Sequence, residues 1–364
     1  MSDVMEREAP AEAPDAEPTA TERAADEMVL LALLLLRFGG HLKALAERRI
    51  DEIEVEVLKL VALADLTSTR RHRLADELGE KSLALAQAGY RRARKDLEVE
   101  LAALAALVAE FVASQIDSAT APGTAHPLQD GGAEDVAGNA MIEGALLAVW
   151  LSRLSGDLVF KLERIFGIAA GARAGATEVL RDVREAFDSA RRNVHPILRT
   201  AITAITAITV ERMVEVENPD VLKGYVHCSV LDSRTTKHIC LPRAGLRWLA
   251  DGTPVGHARE FRRPPLHIGC RSHLALWFKP LEEMPGGVAK KIRVAGRADE
   301  FRDRPVIEPK LETWLRSRPV AEQRSIVGSA KWEAWRGGKL TVAGLLDQSG
   351  RPLTLTQIRK LLGL

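Results

Sequence analysis

The chain has 364 residues, with 51 basic against 50 acidic side chains for a net charge of +1, and is 46% hydrophobic and 28% charged. That length and balance predict one or two soluble domains able to bury their own core, and exclude a short, core-poor peptide. A charge so close to zero argues against a surface that is basic all over, while local basic faces stay open.

Residues 1–27 carry nine acids against Arg7 and Arg23. Mixed with Ala and Pro and lacking an apolar period, residues 1–20 read as a disordered acidic arm, the reverse of the positive start of a secretory signal. The apolar stretch at residues 28–36 is nine residues long and stops at Arg37, short of the roughly 20 that cross a bilayer. The expectation is a chain without a membrane span that stays in the cytosol where it is made.

From 21 to 217 the pattern is helical. Leu42, Leu45, Ile50, Ile53, Val57 and Leu60 mark a first helix ending near Asp65. A second runs from about Thr67 to Asp117 with an interruption at Gly79. Its later half places Leu97, Leu101, Leu104, Val108 and Phe111 at spacings of 4, 3, 4 and 3, a narrow heptad-like seam. Residues 118–138 collect Gly, Pro and Thr and read as a surface loop. Helical pattern resumes over 140–165 and 172–193. Val194-His195-Pro196 predicts a stop, because proline lacks a backbone donor and crowds the preceding turn. A further helix then starts at Pro196. Within it, residues 200–210 read TAITAITAITV. The β-branched content favours a strand, but the setting between Pro196 and the charged ERMVEVE run predicts a helix.

At Asn218 the composition changes: Pro, Gly, His and Trp rise, all the cysteines appear, and residues 225–231 alternate as a strand does. Residues 218–280 therefore read as a small mixed domain and 281–310, with Pro285-Gly286-Gly287, as a linker. Residues 311–364 read as a tail of short helices with a turn at 348–352.

Three basic clusters stand out: Arg70-Arg71-His72-Arg73, Arg91-Arg92-Ala93-Arg94-Lys95, and residues 259–263. Arg91, Arg94 and Lys95 share one helix face and are candidates for non-specific, salt-dependent DNA contact. Asp96, Glu98 and Glu100 follow at once, so the same run also reads as a solvated face of local ion pairs.

The three cysteines, Cys228, Cys240 and Cys270, cannot make an even-numbered disulfide framework. Two pairs of soft ligands lie among them, His238-x-Cys240 and His267-x2-Cys270. Zinc takes Cys and His in tetrahedral sets, and the x2 spacing lets one tight turn present two ligands. The other pair is tight for chelation, and 26 residues separate Cys240 from His267. Three readings stay open. A structural zinc could sit on His238, Cys240, His267 and Cys270. The cysteines could instead be small buried apolar residues beside hydrogen-bonded histidines. Or Cys240 or Cys270 could be a nucleophile with His267 as base and Asp232 orienting it. Asp232, followed by Ser233 and Thr235, equally suits an Asx turn.

The ordered set Asp232, Arg234, Thr235, Cys240, Asp251-Gly252, Pro265, His267, Cys270 and Arg271 resembles the phage Mu F-like (head morphogenesis) family. The tail residues Trp314, Gln323, Gly328, Trp335, Gly338, Asp347 and Leu353-Thr354-Leu355 resemble the region that follows this domain in many phage minor head proteins. Arg199-Thr200 precedes Ala201 where the family often has a glutamate, and Ile268 follows His267 where it commonly has a proline. The resemblance covers residues 199–364. It implies a mainly α fold, with a long-helix N-terminal region, a small α+β Mu F-like domain and a short helical tail. In function it implies a phage or prophage minor head protein that binds the portal or inner capsid and influences genome packaging or ejection. Such a protein works in the host cytoplasm during assembly and then in the virion head, and needs no catalytic residues. The alternative is an enzyme or toxin-like domain using the Cys, His and Asp side chains of residues 232–270.

Overall fold

The computed structural model describes residues 17–341 and 352–364. Most of the expected acidic arm, residues 1–16, and residues 348–351 of the expected turn lie outside the described residues. Helix α1 (Ala20–Ala62) opens on a capping box: Thr19 accepts from the Glu22 amide at 3.2 Å while the Glu22 carboxylate accepts from the Thr19 amide at 2.8 Å.

Helix α2 (Arg71–Ala119) runs unbroken through Gly79. Glycine keeps both backbone hydrogen-bonding groups, so it weakens a helix by about 1 kcal/mol without ending one, and here the position is buried. The segment expected to be a loop contains α3 (Gly132–Asn139), followed by a hairpin of β1 (Met141–Ile142) and β2 (Ala145–Leu146). Helix α4 (Leu147–Ala172) comes next. Helix α5 (Ala176–Arg212) passes straight through Pro196, against the expected stop. Pro196 and Arg192, whose carbonyl loses its donor, are both exposed, so water can replace the missing bond. The TAITAITAITV run is helical as expected. Its buried hydroxyls bond back along the helix, Thr200 to the Pro196 carbonyl at 2.7 Å, Thr206 to Ile202 at 2.9 Å and Thr209 to Ile205 at 2.8 Å.

The long helices form a bundle in which α1 packs on α2 and α5, and α4 on α2 and α5. The seam Leu97, Leu101, Leu104, Val108 and Phe111 is buried inside it. By length and composition alone, α1 and α2 each hold an 18-residue stretch long and apolar enough to cross a membrane, and 56% of each stretch is buried within the protein, as core helices of a bundle are.

After α5 the chain makes one π-helical turn (Met213–Glu217) and enters an antiparallel sheet of β3 (Leu222–Cys228), β4 (Arg247–Leu249), β5 (Pro254–Val255) and β6 (His273–Phe278), in the order β5-β4-β3-β6. Gly224 is required in β3, since a Cβ there would lie 2.0 Å from the Trp248 carbonyl oxygen. Strand β6 is buried along its whole length and packs on α1 and α5, so sheet and bundle share one apolar core. The compositional shift at 218 is thus a change of secondary structure inside a continuous core.

The expected linker contains α6 (Gly286–Val294), anchored by buried Ala289 and Ile292. Pro285 and the two glycines sit at its start, where a missing amide costs no helical bond. Among the described residues the tail holds α7 (Leu311–Ser317), α8 (Val320–Val327), α9 (Ser329–Arg336) and α10 (Leu355–Leu362). Leu311, Trp314, Leu315, Ile326, Val327 and Trp335 form a second apolar cluster on Val29 and Leu33 of α1 and on Val230. The chain is mainly α with a small α+β part.

Candidate metal centre

The corner beyond β3 is built from local backbone demands. Val230 takes a left-handed conformation, φ 47°, and the carboxylate of Glu308 accepts from the Ser229 amide at 2.7 Å and from the amides of Val230 and Leu231. Burial nevertheless pushes the Glu308 carboxyl up to about 7. Asp232 follows and does form an Asx turn, accepting from the Arg234 amide at 2.9 Å, while Thr235 Oγ1 accepts from the Asp232 amide at 3.0 Å.

The same carboxylate is gripped across the fold by Arg271, whose Nη1 and Nη2 reach Oδ2 and Oδ1 at 2.7 and 2.5 Å. Burial opposes ionisation of Asp232, but the Arg271 fork, with Arg234, overcomes it and holds the carboxyl down to about 2.

Cys240 is presented by a single turn in which the Thr236 carbonyl accepts from the amides of Ile239, Cys240 and Leu241. His267 and Cys270 come from the second expected turn. The Cys270 amide donates to the His267 carbonyl at 3.0 Å, and Gly269 adopts φ 76°, open to glycine and strained for other residues. Two threonines of α5 fasten this turn to the bundle: the Gly269 amide donates to Thr200 Oγ1 at 3.0 Å, and Thr203 Oγ1 donates to the Cys270 carbonyl at 3.0 Å.

The two turns bring three ligand atoms together. Cys240 Sγ lies 3.2 Å from His267 Nε2 and 4.0 Å from Cys270 Sγ, and all three atoms fall within 4.8 Å of one another. Zinc bond lengths of about 2.3 Å to sulfur and about 2.0 Å to nitrogen imply tetrahedron edges of about 3.8 Å for S···S and about 3.5 Å for S···N. The Cys240 edges, 3.2 Å to nitrogen and 4.0 Å to sulfur, lie within a few tenths of an ångström of those lengths. His267 Nδ1 lies 2.9 Å from the Ile268 carbonyl oxygen. A carbonyl only accepts, so the ring proton is on Nδ1, and Nε2 turns a lone pair toward the thiols, as a metal-ligating histidine requires. Thr236 Oγ1 lies 3.0 Å from Nε2.

The electrostatics favour one thiolate in the cysteine pair. The hydrogen bond from Cys240 brings the Cys270 thiol down to about 5 despite its burial, with Leu266 and Ser272 assisting. Cys240 moves up in turn, because one proton is shared between two sulfurs. Half-buried Arg199 of α5 stands near both Asp232 and Cys270. Its own burial, with repulsion from Arg271 and Arg234, lowers it to about 10. With both thiols deprotonated and His267 neutral, the donor set matches a dication in charge.

His238 does not belong to this set. It is exposed on the turn that aims Cys240 inward, since with one intervening residue both side chains cannot converge here. The donors are therefore three, Cys240, His267 and Cys270. Gly252 lies apart, in the β4–β5 turn at φ 84° against Phe261. Pro265 leads into the His267 turn through a cis bond from Pro264. Arg91, Arg94 and Lys95 are exposed on α2, with Arg94 paired to Glu98. Sequence reasoning missed Thr203 and Thr236; the threonine repeat of residues 200–210 is the available signal for Thr203.

Compared with protein-family models, with curated proteins and with solved structures, the chain matches none.

Proposed function

We propose that the chain is a minor head protein of a phage or prophage, acting in head morphogenesis by binding the portal or other inner head proteins and influencing genome packaging or ejection. What carries the reading is the meeting of Asp232 with Arg271, and of Cys240 with His267 and Cys270. These residues supply the ordered resemblance to the Mu F-like family, and they converge in one small module although they lie far apart in the chain. A zinc ion held by Cys240, His267 and Cys270 supplies a crosslink. The Asp232–Arg271 pair supplies a second tie between the same two turns. The long helices α1, α2, α4 and α5 provide the kind of surface on which helical partners dock. The place of action is the host cytoplasm during assembly, then the virion head.

Co-purification with a phage portal protein from the same genome tests the reading. Retention on immobilised portal, together with presence in purified particles, is the expected result; absence from both overturns it. A second reading, an enzyme, draws on the three-donor set, which leaves a tetrahedral ion one position open. In that case Cys270→Ala abolishes a turnover while the chain stays folded, whereas in a clasp the same change lowers the melting temperature.

A further inference from the structure

The surface beside the metal centre has an unbalanced charge. Residues 233–250 hold Arg234, Lys237, Arg243 and Arg247 and no acid; residues 256–263 add Arg259, Arg262 and Arg263 against Glu260 alone. Some of these cations are neutralised: Arg234 by Asp232, Arg247 by Asp303 and Arg263 by Glu211. Lys237, Arg243, Arg259 and Arg262 have no carboxylate partner among the described residues.

The fold gathers the three arginines. The loop at 256–263 is tied across β4: Trp248 Nε1 donates to the Arg259 carbonyl at 2.9 Å, and the His257 ring sits 4.7 Å from that of Trp248. Arg243 stands at the entrance to the same strand, its Nη1 donating to the Ile239 carbonyl at 3.0 Å. Burial and the nearness of Arg259 and Arg262 together depress Arg243. Like charges held side by side repel unless an anion lies across them.

We infer that Arg243, Arg259 and Arg262 form a face that takes the phosphodiester backbone of duplex DNA without reading its sequence. All three are arginines, whose guanidinium forks match phosphate oxygens. The aromatic rings of this region are turned inward. Tyr225 stacks on Phe261 at 5.3 Å, and Trp248 meets Phe261 at 5.8 Å. No ring is offered to an unpaired base, which favours a duplex over a single strand. The loop exposes no large apolar side chain to anchor it in a lipid layer. This face replaces Arg91, Arg94 and Lys95 as the principal DNA contact, and it stands independently of the head-protein reading.

The test is fluorescence anisotropy of a labelled duplex with the full chain over a salt series from about 50 to 250 mM. Three phosphate contacts give a log–log slope of about −2.7. Joint replacement Arg259→Glu and Arg262→Glu, both at exposed positions, lowers affinity at least tenfold at the low-salt end. The neutral pair Arg259→Gln and Arg262→Gln lowers the slope magnitude by about 2, with an unchanged melting curve. Arg91→Glu with Lys95→Glu leaves binding as it was. The inference is overturned by wild-type binding that is absent at low salt, or that is unaffected by both replacements. Tighter binding to oligo-dT or to phosphatidylserine vesicles than to the duplex overturns it as well.

Discussion

Arg271 closes on Asp232 through both arms of its guanidinium, at 2.7 and 2.5 Å, with the carboxylate side chain fully enclosed and the arginine 8% exposed. The pair joins the corner after β3 to the residue directly following Cys270, and so holds the two ligand-bearing turns in register. An uncompensated buried charge is costly, so Asp232→Ala is expected to destabilise the chain by about 3 to 5 kcal/mol. Arg271→Lys, which cannot span both oxygens, recovers only part of that. Urea unfolding measures both, and a loss below about 1 kcal/mol for Asp232→Ala contradicts the role given to the pair.

Metal content separates the three donors from the fourth candidate. Protein purified without chelator is expected to hold about one zinc per chain. Cys240→Ala, His267→Ala or Cys270→Ala loses it, and His238→Ala keeps it. Elemental analysis reads the result directly, and zinc that leaves with His238 places the centre elsewhere.

Thr200 differs from its neighbours in the repeat because its hydroxyl serves the distant Gly269 amide as well as its own helix. Thr200→Val leaves that amide unpaired, at a cost of about 1 to 3 kcal/mol, and speeds zinc release to a chelator. Thr206→Val removes only a bond within α5 and leaves zinc release unchanged. Equal release rates for the two variants remove α5 from the support of the centre.

Acid sensitivity has a definite sign. Burial brings His227 down to about 3 and His273 to about 4 from 6.5. The unfolded chain takes up these protons first, so stability falls as pH drops below about 6.5. Glu308 acts in the opposite direction. Its carboxyl is raised from 4.5 to about 7, so the folded chain binds that proton more tightly and stability falls as pH rises between those values. Glu308→Gln cannot titrate and is expected to lose melting temperature more steeply than wild type between pH 7 and pH 5. Parallel curves in thermal melts followed by circular dichroism refute this assignment.

Local pattern was enough for the long helices. The 97–111 seam, the x2 spacing of His267 and Cys270 and the Asx turn at Asp232 are all set by neighbours within a few residues, and each is readable in the chain. Single-residue signals failed where burial or solvent altered their cost. Pro196 did not stop α5 because its missing bond faces water, and Pro285-Gly286-Gly287 opened a helix instead of filling a linker. The convergence of Cys240 with the His267 turn, the exclusion of His238 and the Arg271–Asp232 grip depend on where α5 passes beneath the sheet. That position is decided by the common core of bundle and sheet, which sums contacts between residues tens to hundreds of positions apart, and no local period encodes it.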